Sequence, residues 1–424
     1  MLSSWVYSHV SRWIAAVAVA FATVRFGVIA YNGARNVVYG DYAATLPGGY
    51  VERLNPTLWN APDLTQSWAY HEHTYLHGPT QFLALYPMAY LNSYAAIARV
   101  LLVVFAFVLL AGIVVLWRTL ASVCGREVSK AAVFAATLSF FPLLQAYAQH
   151  EFECVMFLAV TVMYWTAVQD RRRWLGATVA FVTWFKYLPI VLVPYLVARR
   201  WWKAVAAFAI TSAAILTAGQ LLFGLRHFVD NDVPAVAGGL LTAIRGGVDF
   251  CQDILPRYRF GNTTFVSMRW AACTLEDQGV AIRPLLAYLM CAAVVAYVGV
   301  VGFVHVEWRR DELSASAERW RRILELSVIV TVYSTFFFAH YYYLSVLAAP
   351  LAVLLVRYLE QRRYASLVLW GATYFFLSAF TLPVTWFFHP RHGDAWTWYM
   401  RHVVYLPGEL GLLALLLREY VSVE

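Results

Sequence analysis

The sequence predicts an all-α polytopic membrane protein of about 12 membrane segments, on three observations. Of the 424 residues, 61% are hydrophobic and only 13% charged, and mean hydropathy is +0.60; a soluble domain carries roughly 25% charged residues. Apolar runs of about 20 residues, each long enough to cross a bilayer core, recur along the chain. Basic residues gather in five short loops: Arg118/Arg126/Lys130, Arg171 to Arg173, Arg199/Arg200/Lys203, Arg309/Arg310/Arg319/Arg321/Arg322 and Arg357/Arg362/Arg363. That grouping is positive-inside patterning, so the formal net charge of +8 reads as membrane orientation and excludes a nucleic-acid patch.

With these loops cytoplasmic, the elements fall into a consistent order. Trp13–Tyr31 crosses outward; it is longer than the roughly 7–15-residue apolar region of a signal peptide, so no cleavage is expected. The polar segment 32–79 lies outside, followed by a short interfacial helix near 80–92. The chain returns through Ala95–Trp117, leaves through 131–147 and comes back through 152–168. Later crossings are 204–223, 284–305, 323–339, 341–358, 364–382 and 403–418. Residues 1–424 form one membrane-embedded domain with outward loops 32–79, 224–282 and 383–402. Of the five cysteines, Cys251 and Cys273 fall in one loop and either pair or stay free, and none shows metal-ligand spacing.

One segment does not fit a simple crossing. Residues 174–198 are preceded by "DRRR" and followed by "RRWWK". A single crossing would put the basic stretch after Trp308 outside, against the positive-inside pattern. A short broken-helix hairpin resolves this: one helix up to Phe185, one down from Leu188, broken near Pro189 because proline lacks a backbone donor and clashes with the preceding turn. Lys186, in "FVTWFKYLPIVLVP", then sits at the apex. A charge at membrane depth costs roughly 2.5–3.5 kcal/mol on insertion scales, which points to a function. As a ligand for an incoming anion, this lysine is expected to be unpaired in the empty protein; the alternative is a structural lysine paired with a nearby carboxylate.

Other polar residues map to the same outward ends. Asp41, in "YGDYAA", is either a general base raised by partial desolvation or an ordinary turn residue. In "YHEHTYLHGPTQF", His71, His73 and His77 surround Glu72, but nothing completes a zinc set, and a polar loop lining is the simpler reading. "QAYAQHEFE" clusters Gln149, His150, Glu151 and Glu153 where a crossing ends, as a site or as an interfacial turn. Arg257, Arg259, Asn262 and Arg269, in "RYRFGNTTFVSMRW", suit a phosphate or snorkel to headgroups. His340, in "FFFAHYYYL", is a packed interfacial histidine or part of the same cationic set. Basic residues facing one acid beside an apolar wall suit a lipid-linked phosphate leaving group attacked by an activated hydroxyl.

In order, these motifs resemble glycosyltransferase family 87, polyprenyl-phosphate-sugar-dependent enzymes of the GT-C fold class. The resemblance covers roughly 40–350. Asp41 in "GDYAA" matches the family's early acid, "TYLHGPTQFLALYP" its aromatic-proline stretch and Gln149 its crossing-end glutamine. Lys186 to Pro189 matches its Lys-x-x-Pro hairpin, Asn262 to Arg269 its asparagine segment and His340 its outward histidine. "HGP" stands where Tyr-Pro-Pro is usual, and "QHEFE" where Gln-x-Asn is usual.

The resemblance implies an inverting glycosyltransferase. It would move a hexose or pentose, mannose first, from a polyprenyl-phosphate donor to a lipid or glycan acceptor on the extracytoplasmic face of the plasma (inner) membrane. Asp41 would be the base; Lys186, Arg269 and His340 would hold the donor phosphate; His77, Gln149, Glu151 and Asn262 would line the sugar and acceptor site. No metal and no cofactor are expected, and no nucleic-acid partner. The alternative is a lipid or lipid-linked-glycan flippase, which usually has related halves and a midplane site.

Overall fold

The computed structural model describes residues 2–35, 79–85, 87–88, 91, 94–124, 128–223, 265–266, 271, 274–275, 278–279, 295, 297–302, 314–336, 339–378 and 394–423. In chain order the helices are α1 (Leu2–Arg35), α2 (Pro79–Leu85), α3 (Tyr94–Cys124), α4 (Lys130–Leu138), α5 (Phe141–Ala148), α6 (Glu153–Val168), α7 (Arg172–Lys186) and α8 (Leu192–Ala198). They continue as α9 (Trp202–Phe223), α10 (Ala315–Phe336), α11 (Ala348–Glu360), α12 (Tyr364–Leu377), α13 (Asp394–Arg401) and α14 (Leu406–Val421). The expected crossing at 284–305 lies mostly outside the described residues.

Among the described residues, four helices are long and apolar enough to cross a membrane: Trp13–Arg35, Ala95–Cys124, Trp202–Leu222 and Tyr343–Glu360. A fifth candidate is the pair α4 and α5, bent by 60°. Pro142 sits in the first turn of α5, where its missing N–H breaks no helical bond. The fully buried Arg25 of α1 donates to the Ser139 carbonyl at 2.9 Å, within the bend. Large apolar side chains stand open on the outer helices, Ile210 at 70% and Leu221 at 80% exposure. On helices of this length, such a surface suits contact with lipid. α11 is the reverse, buried from Ala348 to Tyr358 at the centre of the bundle.

The returning hairpin is present. α7 has 15 residues, a rise of about 22 Å, short of the roughly 30 Å hydrocarbon core. Its cap, Tyr187, has φ +56°; a 3₁₀ turn at Leu188–Val191 and α8 then carry the chain back. The two ends of the segment meet: the guanidiniums of Arg172 and Arg199 both lie 5.7 Å from the Trp201 ring centroid. A side chain added at Gly176 would sit 2.7 Å from the Ala204 carbonyl carbon. Chain that left at Arg172 is back where it started by Trp201.

All five basic loops are drawn to that end. Lys130 covers Trp117, and Arg319 donates to the Ser122 carbonyl. Arg322 pairs with Asp170 at 3.3 Å, Arg199 with Glu318 at 2.8 Å and with the fully buried Glu325. Arg357 and Arg363 both reach the buried Glu419, and Arg357 also lies over Trp320. Burial works against ionising Glu318, but Arg199 and Arg322 overcome it and hold that carboxyl below its usual value.

Helix ends carry an unadvertised device. His150, Asp170, Arg200, Arg362 and Val403 all have φ between 52° and 58°. At His150, its N–H bonds to the Tyr147 carbonyl and the next N–H, of Glu151, to Ala146. That is the Schellman pattern, usually made with glycine, and the other four ends repeat it.

The all-helical expectation needs one correction. A two-residue antiparallel pair joins β1 (Phe265–Val266) to β2 (Ala339–His340), with Phe265 opposite His340. The tip between α10 and the following 3₁₀ helix is extended, so its backbone groups need a partner strand.

Candidate active site at the hairpin apex

Lys186 is the last residue of α7, and the +56° φ of Tyr187 stops the helix directly after it. A helix C-terminus favours a cation. The Lys186 ammonium lies 3.3 Å from a Glu153 carboxylate oxygen, and the two side chains are 5% and 2% exposed. Glu153 opens α6, where a helix N-terminus favours an anion. The lysine also donates to the Tyr343 hydroxyl at 3.1 Å and stands 4.7 Å from that ring's centroid. The pairing corrects the expectation of an unpaired lysine in the empty protein. A low-dielectric interior leaves a lone ammonium too costly, so a carboxylate has been brought to it.

Tyr343 reaches this point because of the 3₁₀ helix Tyr341–Leu347. Successive side chains there are about 120° apart, so Tyr341 and Tyr343 face different ways. Tyr341 is anchored in the bundle by its bond to the Leu377 carbonyl and by Trp396 and Phe141. Tyr343 turns instead toward Lys186. Glu153, Lys186, Pro189, Tyr333, Ser334 and Tyr343 line a cavity of about 30 Å³, with Met156, Leu188 and Val346 completing its wall. That volume holds a water between the polar groups that line it.

Two expected residues, Gln149 and Glu151, form the turn leading into Glu153. Gln149 caps α5 and is half-buried, while Glu151 is buried and closes the turn through its backbone. Between them the buried His150 imidazole is pushed down to about 4 by burial, so it is neutral at neutral pH. His340 is brought to the same end by its backbone: it stands three residues before Tyr343 and pairs with Phe265. Phe265 is itself three residues after Asn262, and Val266 three before Arg269. Asp41, His77, Asn262 and Arg269 lie outside the described residues, as do Cys251 and Cys273.

Sequence named Glu153 only as a member of the "QHEFE" cluster and not as the partner of Lys186, and it did not single out Tyr343. For Glu153 a signal existed, since a lysine at membrane depth calls for a counter-charge and "HEFECVMF" puts an acid at the mouth of an apolar helix. For Tyr343 there was none: "YYY" reads as an aromatic belt.

A family model described as glycosyltransferase family 87 matches residues 75–331, more than half of the chain. The match includes the hairpin, Glu153 and the α5–α6 turn, and ends before Tyr343. No curated protein matches the chain.

Proposed function

The chain belongs to glycosyltransferase family 87 and is a membrane glycosyltransferase with a sugar donor and an acceptor, and from that premise we propose that its donor is a polyprenyl-phosphate sugar bound at Lys186. The observation that carries this reading is the placement of one buried lysine at the apex of a returning hairpin, across the bundle from the five basic loops. A lipid-linked donor delivers its phosphate within the membrane, where a cation held at depth can meet it. With the basic end cytoplasmic, that apex faces the extracytoplasmic side of the plasma (inner) membrane.

The step requires little of the protein beyond charge and position. Asp41 takes the proton of an acceptor hydroxyl, and that oxygen attacks the anomeric carbon. The bond from this carbon to the phosphate oxygen breaks, and the polyprenyl phosphate leaves with the electron pair, inverting the centre. Lys186, Arg269 and His340 neutralise the developing phosphate charge, which in a dry site is worth several kcal/mol of barrier, on the order of 2.7–4 for one well-placed donor. His77, Gln149, Glu151 and Asn262 line the sugar and acceptor site. These cations supply the neutralisation that a metal gives in other transferases. Mannose is the first sugar to try, with a lipid or glycan as acceptor.

The test is to reconstitute the protein in lipid nanodiscs with radiolabelled polyprenyl-phosphomannose and, separately, labelled nucleotide sugars. Loss of label from the polyprenyl donor is the expected result. Turnover of a nucleotide sugar alone would overturn the donor assignment.

A further inference from the structure

Lys186 is occupied before any donor arrives. Its partner Glu153 is almost fully buried, 3.3 Å away, and shares a 30 Å³ cavity with it. A phosphate placed on Lys186 comes within about 5 Å of that carboxylate, where two like charges at an effective dielectric of about 20 oppose each other by roughly 300-fold in affinity. Donor phosphate and the Glu153 carboxylate therefore compete for one ammonium. Something must yield, and the residue holding the lysine is the one in the way.

We propose that Glu153 is the resting counter-ion of Lys186, and that donor phosphate takes its place during binding. The inference rests on the reading of Lys186 as a phosphate ligand. Glu153 is then a positioning residue: it holds the ammonium at the cavity, and it sets a threshold that only an anion can cross. Tyr343 guides the exchange, because its hydroxyl and ring both face the ammonium and hold it while the anionic partner changes. An uncharged lipid that enters the same groove gains nothing from Lys186 and leaves the pair closed.

The pair predicts opposite effects of one substitution on stability and on binding. Glu153→Gln strands Lys186 and lowers the melting temperature, yet removes the competing anion. The probe is farnesyl phosphate, with farnesol as the phosphate-free control, added to the full chain in phosphatidylcholine nanodiscs. Glu153→Gln should bind farnesyl phosphate at least about 10-fold tighter than the wild type and gain a larger melting-temperature shift from it. Farnesol should bind both alike. Equal or weaker farnesyl phosphate binding by Glu153→Gln overturns the counter-ion role, because a merely structural glutamate gives no route to tighter binding. If Glu153→Gln does not fold, Glu153→Asp, with a carboxylate one methylene farther away, should shift affinity in the same direction, and no tightening there overturns the proposal equally. The double variant Lys186→Met/Glu153→Gln separates the two ideas. It should lose farnesyl phosphate binding, and unchanged binding there sinks Lys186 as the phosphate ligand and the counter-ion proposal with it.

Discussion

Gly176 of α7 lies against the backbone of Ala204 in α9, so close that a Cβ would sit 2.9 Å from the Ala204 Cα and 2.7 Å from its carbonyl carbon. Neither neighbour is a flexible side chain that could swing aside. The contact closes the base of the returning hairpin, beside Trp201, and so fixes where Lys186 stands at the other end. Glycine inside a helix normally costs about 0.5–1 kcal/mol relative to alanine. At this position the sign reverses, and Gly176→Ala should lower the melting temperature and push α7 away from α9. A more stable Gly176→Ala protein would show that the two helices are not held this tightly.

Lys186→Met keeps the apolar stem and removes the charge, but it also leaves the Glu153 carboxylate buried without its cation. Breaking one side of a buried pair typically costs about 3–5 kcal/mol. Thermal unfolding should show that loss in the single variant and recover most of it in Lys186→Met/Glu153→Gln. Sugar transfer should stay low in both, by roughly 10- to 150-fold, the size of a lost charge-assisted hydrogen bond. Recovery of transfer along with stability would reduce the pair to a structural one.

His150 supplies a pH signature. Its folded value of about 4 lies below the ordinary value of 6.5 because burial disfavours the charged ring. A depressed value means the stabilisation is fully present above pH 6.5 and is lost as pH falls through 4. The loss is about 3 kcal/mol by linkage. Melting temperature should therefore drop between pH 7 and pH 4.5. His150→Asn removes the titrating ring and, since asparagine tolerates φ near +58°, keeps the Schellman turn. That variant should lose most of this slope; an unchanged slope assigns the acid sensitivity elsewhere.

Orientation can be read with single cysteines at exposed positions. Arg200→Cys and Arg362→Cys lie in basic loops, and His402→Cys follows α13, which bonds through Tyr399 to the far end of α12 at Phe376. In intact cells an impermeant thiol reagent should label position 402 and spare 200 and 362. The reverse pattern would turn the protein over and put the Lys186 end in the cytoplasm.

Asp41→Asn should leave folding and donor binding largely intact and lower transfer by at least about 100-fold, the usual size of a general-base effect. Near-normal turnover in a quench assay would reassign the base, with Glu151 the next carboxylate to replace.

Much of this was legible in the chain because a bilayer makes composition and charge strict. Apolar length gave α1, α3 and α9, and the five basic loops do converge on one end of the bundle. The break after Lys186 was readable too, since Pro189 and two flanking basic runs leave a single crossing inconsistent. Helix ends were not. His150, Asp170, Arg200, Arg362 and Val403 adopt the left-handed cap conformation with no glycine to announce it. The cost is about 1–2 kcal/mol each, and surrounding packing must supply it.

The sequence by itself placed Lys186 on a broken-helix hairpin between two basic runs, and the structure has that hairpin. Only the tertiary structure decided which groups that lysine meets. Glu153 is 33 residues away and Tyr343 is 157 residues away in sequence, and no periodicity joins such positions. They meet because α6, α7 and the 3₁₀ helix before α11 each end or turn at the same level of the bundle. Once buried there, an ammonium and a carboxylate must pair or neutralise each other, since both are almost wholly removed from bulk water.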